Sequence, residues 1–509
     1  MQELINQLRG VLSATGALAE AINDPIRLAE LHIQLANSYR GSAALRSAWF
    51  ETLAETHIKE RWFSEAAVCE AHVIAIIGKE LTANGVVSLD WSLLDVINDS
   101  ITNDENVFDD QSDSTQQAGF TLENFTTKIE KTVQTLVLAE RYEAVGPLCR
   151  LAIPIYEQQN NYRALVSMYA ELQQAYSLAD QAKATRKRHF GSYFRVVFYG
   201  ANHFREDHGT EWIYREPAHT SLAEACERMS EACRSALGHE RVQVLAEGEL
   251  DESQMKENMA YVQMTHVEPL AKDDDLSSFR VNTNVRQFTY ECPTVDESVP
   301  KDAPEIARRT LKRICLTTAE SFPNTRRRER VIERTEKILT PLELAVENLL
   351  FKANQIRRTL DAATSSGDSE KAIVERLDVK GLQLLLQGAV QPTVNVGPLA
   401  YAEAFTTASQ IERYGQSGVK KLAEAFKSLM AECAEALKAN EAAIGSDQAE
   451  YQTMLKNAFA AMLERLHAFF GESMLEPATI IAGGSSCTTN EHPARTSMHI
   501  LDSIGGVNT

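Results

Sequence analysis

Apolar residues recur at helical spacing through the first third of the chain. Asp24 and Pro25 are typical of a helix N-cap and first turn, and apolar residues follow them with a helical period. The same period continues over residues 43–60, 64–81, 121–156 and 162–176. Small residues such as Ala66 and Ala67 allow neighbouring helices to approach closely. Residues 1–185 are therefore predicted to form an antiparallel helical array that resembles tetratricopeptide stacking.

A polar stretch, residues 98–117, interrupts this helical pattern. It carries six acidic residues and no basic residue, and it contains few apolar residues. Such a composition cannot bury enough apolar surface to offset the entropy of ordering the chain. We therefore expect a mobile loop here.

The pattern changes at Phe190. Residues 193–199 are β-branched and aromatic and are followed by Gly200, which is typical of a buried strand. Further runs of this kind are 211–215, 242–245, 261–267, 285–290 and 313–318, and one predicted helix, 222–237, interrupts them. Residues 186–335 are therefore predicted to form a β-rich lobe.

Helical patterning returns at Thr340, which forms a capping box with Glu343 around a first-turn proline, Pro341. Helices are predicted from there to about residue 360, and over 381–405, 419–440 and 447–470. Together they suggest a four-helix bundle within residues 336–475, with one interrupted helix. The remainder, 476–509, contains GGSSCTTNEHP and is predicted to be disordered. The predicted fold is thus mostly α with a β-rich middle lobe, in three lobes.

Length and composition narrow the functional classes. A chain of 509 residues is too long for a single core. Its net charge of −20 argues against general nucleic-acid binding, which needs a basic surface. No run approaches the ~18 uninterrupted apolar residues of a membrane span, and the N-terminus lacks the apolar core of a signal peptide. The eight cysteines include no CxxC pair and are interpreted as reduced thiols of a cytosolic protein.

Motifs for covalent chemistry are missing from the sequence. It contains no Walker A sequence, no GxGxxG and no GxSxG. His203, Glu206 and His208 lie close together, but their spacing matches neither HExxH nor HxxEH, so no metal site is predicted. A basic cluster at 326–330, with 312–313, is either a solvated, charge-balanced turn or a contact for an acidic partner.

One helical region is broken by an apolar loop. Residues 387–405 are QGAVQPTVNVGPLAYAEAF, and helix formers flank the loop on both sides. Gly388 and Gly397, together with Pro392 and Pro398, cannot all be absorbed by a regular helix. Pro398 suits the first position of a second helix. A loop that carries valines in place of Ser, Asn or Asp is expected to present its tip to another molecule.

Several segments together resemble the second DOCK homology region, the catalytic domain of DOCK-type guanine-nucleotide exchange factors. The loop segment resembles the loop-bearing helix of that domain, and further similar segments are HFGSYFRVVFYG (189–200), AYVQMTHVEP (260–269) and IPIYEQQNNYRALVSMYAELQQAY (153–176). They occur in the family's order and cover most of residues 30–475. VNVGPLAYAEAF and YREPAHTSLAE are most similar to the zizimin-like and DOCK-seven-like branches.

The resemblance implies an exchange factor that releases GDP from Rho-family GTPases of the Cdc type, the Rac type or both. The family's nucleotide sensor is a valine of this loop, which corresponds to Val394, with Asn395 beside it. The GTPase-binding residues that the resemblance implies are Gln387, Gln391, Pro392, Thr393, Val396, Gly397, Pro398, Leu399, Tyr401, His266 and Glu268. No cofactor of the chain itself is expected, because Mg²⁺ and GDP belong to the partner GTPase.

The resemblance also assigns roles to the three predicted lobes. Residues 1–185 would form a homodimer contact, and 145–156 has more apolar surface than one helix face needs. Residues 186–335 and 336–475 would bind the GTPase, and the sensor loop lies in the latter. The expected location is cytoplasmic, and any recruitment to membranes would depend on regions outside this chain.

Two alternatives stay open at the level of the sequence. Val390, Val394 and Val396 would plug the bundle if the loop had no partner, and Val390 and Val396 fit that packing role better than Val394 does. A chain without acid–base or nucleophilic motifs is also compatible with a non-catalytic helical scaffold or adaptor, which would bind a small GTPase or another protein.

Overall fold

A computed structural model describes residues 12, 15–18, 24–105, 120–185, 187–245, 255–256, 258–270, 278–296, 298–300, 304–363, 376–391, 397–445 and 448–471. By their contacts these residues divide into two units. The first comprises Met1–Thr294 with Leu311–Leu339, and the second comprises Val295–Thr310 with Thr340–Thr509. The predicted tail, 476–509, lies outside the described residues.

The first unit begins with a helical array. Its helices are α1 (Pro25–Ser38), α2 (Ala43–Lys59), α3 (Phe63–Ala83), α4 (Ser100–Glu105), α5 (Leu122–Leu138), α6 (Val145–Gln158) and α7 (Tyr162–Thr185). Asp24 caps α1 as predicted, because its carboxylate accepts hydrogen bonds from the backbone N–H groups of Ile26 and Arg27. Nearly every residue of α3 is buried, which explains why its sequence lacks a polar stripe.

Part of the acidic stretch is folded, contrary to the prediction of a loop. Asn98 is completely buried and donates a 2.6 Å hydrogen bond to the carbonyl of Pro323. Glu105, at the end of α4, is also completely buried. Its carboxylate lies 2.6 Å from Arg46 Nη2 and 2.9 Å from His72 Nδ1. The ion pair gives this carboxylate the partner that the local sequence lacks; residues 106–119 lie outside the described residues.

The apolar residues of α6 face the interior of their own unit. Val145, Leu148 and Leu151 are completely buried and belong to the core of the helical array. Residues 145–156 therefore do not supply the surplus apolar surface that the sequence suggested for a dimer. Exposed large apolar side chains occur instead on α7, at Tyr162, Val166, Tyr169 and Tyr176.

A seven-stranded sheet follows the helical array. Its strands are β1 (Ser192–Tyr199), β2 (Glu211–Glu216), β3 (Val242–Leu245), β4 (Ala260–Pro269), β5 (Val285–Val295), β6 (Arg309–Phe322) and β7 (Arg328–Leu339). Their order is β1-β2-β7-β6-β5-β4-β3, and a further antiparallel pairing of β4 with β1 closes a barrel-like ring. The sequence predicted six of these strands and missed β7.

Both faces of the sheet are packed near β1. Tyr193, Phe288 and Phe322 lie in one apolar cluster, with ring centroids 5.0–5.7 Å apart. Phe194 and Val196 lie in another cluster, which includes residues of a covering helix. The helices between the strands of this unit are α8 (Ala201–Phe204) and α9 (Leu222–Leu237). Burial on both faces explains the nearly continuous apolar sequence of β1.

Buried charged residues join the helical array to the sheet. Glu65 of α3 is completely buried and accepts a 2.5 Å hydrogen bond from Arg215 Nη1 of β2. Ser64 Oγ accepts hydrogen bonds from both Arg215 and Arg141. Arg141 also donates to the carbonyl of Asn282 and to the hydroxyl of Thr283. These contacts tie the loop before β5 to the helices.

The basic cluster at 326–330 packs against its own unit. Arg328 Nε lies 2.5 Å from the carboxylate of Glu30, and the Arg327 guanidinium lies 4.2 Å from the ring centroid of Trp62. Arg326 pairs with the buried Glu329, whose pKa burial raises to about 6. Arg327 and Arg328 therefore hold the start of β7 against the helical array. Arg326 is paired within its own segment, and Arg330 is exposed.

The second unit is a helical bundle. Its helices are α10 (Glu305–Arg308), α11 (Pro341–Ala363), α12 (Val379–Val390), α13 (Leu399–Phe405), α14 (Ala408–Ala443) and α15 (Ala449–Phe470). The predicted capping box is present: the Thr340 N–H donates to the Glu343 carboxylate at 2.9 Å, and the Glu343 N–H donates to Thr340 Oγ1 at 3.3 Å. Leu349, Leu386 and Phe426 lie in its core and are completely buried.

Replacing Glu65 by Gln should destabilise the first unit strongly. The change leaves the Arg215 guanidinium buried without its carboxylate, and breaking a buried ion pair in this way costs about 3–5 kcal/mol. Urea unfolding followed by Trp fluorescence measures the loss, because all four tryptophans, Trp49, Trp62, Trp91 and Trp212, belong to the first unit.

The pH dependence of this loss provides an internal control. Burial alone would raise the pKa of Glu65, but the charges of Arg215 and His57 and the hydrogen bond from Arg215 together outweigh burial and lower it. The pair therefore contributes at neutral pH, and its contribution is lost as pH falls through the folded-state pKa. The matched variant is Glu51→Gln, which removes a half-exposed pair with Lys128 and should cost less than about 1 kcal/mol. Equal losses in the two variants would contradict the prediction.

Candidate functional site

The break between α12 and α13 is where the sequence predicted a loop inside a helix. α12 ends at Val390 and α13 begins at Leu399. Residues 392–396 lie outside the described residues. This segment contains five predicted site residues: Pro392, Thr393, Val394, Asn395 and Val396.

The residues on either side of the break are described. Gln391 is exposed, and its N–H closes the last turn of α12 on the carbonyl of Gln387 at 2.8 Å. Gln387 is half-buried and lies 3.5 Å from the hydroxyl of Tyr451. Pro398 has φ −51° and precedes α13, so it starts the second helix as predicted. The carbonyl of Gly397 accepts a hydrogen bond from the N–H of Ala400 at 3.0 Å.

α13 is anchored in the bundle by its apolar face. Ala402 and Phe405 are buried in the core, and Leu399 packs against it. The Tyr401 ring also packs against the core, and the Tyr401 hydroxyl accepts a hydrogen bond from Asn348 Nδ2 of α11 at 3.4 Å. The position of α13 is therefore fixed by side-chain packing.

Val390 is part of the bundle core. It is 7% exposed and lies in the same apolar cluster as Leu386 and Ala389. The last turn of α12 is thus anchored immediately before the break.

The opposite face of α12 is open to solvent, which the sequence analysis missed. Leu384 is 70% exposed, and Gln391 lies two turns further along the same face. Between them lies Gly388, where an added Cβ would meet no atom within 4 Å. Glycine inside a helix costs roughly 0.5–1 kcal/mol relative to alanine, and no packing among the described residues requires it here. The sequence does not distinguish Leu384 from a core residue, because it lies within the mostly apolar run LQLLLQ.

A kink follows α13. Gly415, inside α14, has φ 70° and ψ 167°, so the helix changes direction there. Arg413 Nη2 lies 2.5 Å from the carboxylate of Asp296, whose pKa is lowered by hydrogen bonds from Ser298 and from this arginine. The ring of Tyr414 lies 6.0 Å from that of Phe405, and burial raises the pKa of Tyr414.

The two remaining predicted site residues belong to the first unit. His266 and Glu268 are both exposed on β4. His266 lies opposite Phe194 of β1, with ring centroids 5.6 Å apart, and Glu268 lies opposite Thr289 of β5. The strand pattern places them two residues apart on one face of the strand.

Other kinds of site are not found in the part of the chain that the structure describes. There, no group of three or more His, Cys, Asp or Glu side chains could hold a metal ion. None of the described helices is both long and apolar enough to span a membrane. The seven described cysteines are free thiols, and Cys487 lies outside the described residues.

Three family models match this chain, one for each lobe of a single domain. The model of DHR-2, Lobe A, matches residues 30–181; that of DHR-2, Lobe B, matches residues 247–321; and that of DHR-2, Lobe C, matches residues 369–469. They occur in the order of the helical array, the sheet and the bundle. The break between α12 and α13 lies within the Lobe C match.

Several proteins named dedicator of cytokinesis are similar to this chain over most of its length. Dedicator of cytokinesis protein 9 of Mus musculus is 31% identical over 493 residues, which cover 93% of this chain and 23% of that protein. Dedicator of cytokinesis proteins 8 and 7 of Homo sapiens are each 31% identical, over 92% of this chain and 22% of those proteins. The chain thus spans less than a quarter of the length of these relatives.

The fold is therefore a three-lobed DHR-2 domain. The chain belongs to the DOCK family.

Proposed function

We propose that this chain is a guanine-nucleotide exchange factor that releases GDP from Rho-family GTPases of the Cdc type, the Rac type or both. The observation that carries the proposal is the interruption between α12 and α13, which falls within the match to DHR-2, Lobe C. Both helices that border the break are packed into the bundle core, α12 through Val390 and α13 through Phe405. His266 and Glu268 on the sheet are the proposed second contact with the GTPase.

The proposed mechanism displaces Mg²⁺ without covalent chemistry. A GTPase holds its nucleotide through phosphates that are cradled by loop amides and a lysine, with Mg²⁺ on the phosphate oxygens. Mg²⁺ requires a near-octahedral shell of oxygen ligands. The side chain of Val394 would enter this shell and supply no ligand, with Asn395 beside it. The phosphates then lose neutralising charge and GDP leaves faster, which explains why an apolar residue suits this role.

Release of the product follows from thermodynamic linkage. If the exchange factor weakens nucleotide binding, then nucleotide weakens binding of the exchange factor by the same factor. Entry of GTP with Mg²⁺ would therefore displace the loop and free the activated GTPase. The segment 391–398 and the open face of α12, with Leu384, Gly388 and Gln391, are the surfaces that we assign to this exchange.

Nucleotide release tests the function. We expect the purified chain to accelerate release of fluorescent GDP from Cdc-type or Rac-type GTPases, and to leave Ras-type and Arf-type GTPases at their intrinsic rates. Equal acceleration of an unrelated GTPase would contradict the specificity. Binding to a Rho-family GTPase without acceleration would favour a scaffold over an exchange factor.

Val394→Ala and Val390→Ala form a matched pair that tests the sensor. Val394→Ala removes two methyl groups from the proposed Mg²⁺ contact, so exchange should fall sharply while thermal stability and GTPase binding are retained. Val390→Ala leaves a cavity in the core and should cost about 1–3 kcal/mol of stability, with exchange per folded molecule unchanged. Melting curves and nucleotide release, measured on both variants, separate the two roles.

Dissociation of the complex provides a further readout of the sensor. With Val394→Ala, GTP and Mg²⁺ should displace the GTPase from the exchange factor less effectively than they do with the unmodified chain. Normal exchange by a folded Val394→Ala protein would rule out the assignment of Val394.

We also propose that the chain forms a homodimer through α7. Tyr162, Val166 and Tyr169 are spaced by four and three residues, and Tyr176 follows one heptad later. They form one apolar stripe on the exposed side of the helix, and each is at least 49% exposed. Two copies of α7 packed antiparallel would cover both stripes, and aromatic residues of this kind are enriched in interfaces.

Val166→Lys should convert the homodimer to a monomer. The side chain is 71% exposed, so lysine would not disturb the core, but it would place a charge in the proposed contact. Light scattering at about 1 μM, where weaker contacts dissociate, should give twice the 56.6 kDa chain mass for the unmodified protein and the single mass for the variant. Ser167→Lys, about a quarter turn away around the helix, is the control. A monomeric unmodified protein would defeat the proposal.

A further inference from the structure

The strand β7 has an outer edge that its own sheet covers only in part. β6 pairs with β7 as far as Leu339, but the pairing of β2 with β7 is confined to residues 328–330 among the described residues. The side chains of residues 332–338 are all exposed, including Ile332 at 62% and Ile338 at 66%. An exposed strand edge of this length is a template for pairing with another strand.

The sequence of this edge is complementary to itself. Residues 332–338 read Ile-Glu-Arg-Thr-Glu-Lys-Ile. In an antiparallel pair of two copies with the two-fold axis at Thr335, each Ile332 lies opposite the other copy's Ile338. Glu333 then lies opposite Lys337, and Arg334 lies opposite Glu336. Apart from the two threonines on the axis, every directly opposed pair therefore joins two apolar residues or an acidic and a basic residue. Cross-strand pairs of both kinds stabilise a sheet.

We propose that β7 is a self-association site at which a second copy of this chain adds its own β7 antiparallel, centred on Thr335. The contact is isologous, as expected for a two-fold dimer. It is distinct from the α7 contact and does not depend on nucleotide exchange. Its two faces differ: Ile332, Arg334, Glu336 and Ile338 lie on one, and Glu333, Thr335 and Lys337 lie on the other.

The alternation of charge distinguishes this edge from one protected against pairing. An edge guarded by a single sign of charge repels any second copy, because like charges would lie opposite each other. Here the signs alternate, and residues at equal distances on either side of Thr335 carry opposite charges, so the antiparallel register places each charge opposite one of the other sign. A shift of two residues would place Glu333 opposite Thr335 and lose this complementarity, so the register is specified.

Space for the second strand exists where β2 begins. A notch of about 260 Å³ lies there, between Gly209 and Glu211 on one side and Ile332 and Arg334 on the other. A strand added to β7 would continue in line with β2, and its Ile338 would reach the notch beside Ile332. The apolar pair would then be covered at both ends of the contact.

Contacts within the chain leave one charge pair available for a clean test. Arg334 pairs with Glu211 at 2.7 Å, and Glu336 pairs with both Arg334 and Lys312. In the described contacts of the chain, Glu333 and Lys337 have no ion-pair partner. Substituting them changes the proposed contact and leaves the internal network intact.

Charge reversal with complementation tests the proposal. Sedimentation velocity is measured on the full chain carrying Val166→Lys, so that the α7 contact does not contribute. We expect a concentration-dependent dimer with a Kd on the order of 10–100 μM, because a single strand pair buries less than the ~1,200 Å² of a standard interface. Glu333→Lys or Lys337→Glu alone places like charges opposite each other twice, and each should weaken the dimer at least about tenfold.

Mixing the two variants gives the decisive result. In a heterodimer of Glu333→Lys with Lys337→Glu, both opposed pairs are again acidic with basic, so the mixture should recover the dimer. The double variant with both substitutions in one chain should recover it as well. The proposal is overturned if the single variants dimerise as well as their parent, or if neither the mixture nor the double variant recovers. Urea unfolding of each variant verifies that the fold is unchanged.

Discussion

The ion pair between Glu65 and Arg215 fixes how the helical array meets the sheet. Both side chains are buried, and each lies on a central element: Glu65 on the helix that is buried on almost all sides, and Arg215 on a strand of the closed ring. The position of β2 determines that of β7, and β7 is pinned further to α1 through Arg328 and Glu30. Charged groups thus fix the register between the helical array and the sheet.

Arg141 shows how such an interface tolerates excess positive charge. It is 1% exposed and donates to a carbonyl and two hydroxyl groups. Burial, with a smaller effect from Arg215, lowers the pKa of Arg141 to about 9. Oriented dipoles and the ring of Phe190, 5.1 Å away, replace the missing counter-charge. The loop before β5 is consequently held by hydrogen bonds that water cannot easily replace.

The strong periodicity of apolar residues made most of the fold predictable from the sequence. The elements that the sequence did not predict lack this periodicity. The helices of the array and bundle, and six strands, follow apolar patterns that their burial requires. β7 carries mostly charged residues after Val331, where its pairing with β2 has ended, so this part of its sequence does not resemble a buried strand. Asn98 and Glu105 are polar yet buried, since their partners, Pro323 and Arg46, are distant in sequence. The sequence located the helix break but missed the open face at Leu384, because exposure depends on which helices pack nearby.

The kink at Gly415 has a consequence for how the bundle can vary. An L-residue with a side chain would be strained at φ 70°, so one backbone conformation sets the angle between the two parts of α14. The part before the kink is joined to α13 through the contact of Tyr414 with Phe405, and the part after it builds the core with Phe426. The two parts therefore pack against different residues of the bundle. Substitutions in one part can therefore be accommodated without changing the packing of the other part, provided that residue 415 remains a glycine.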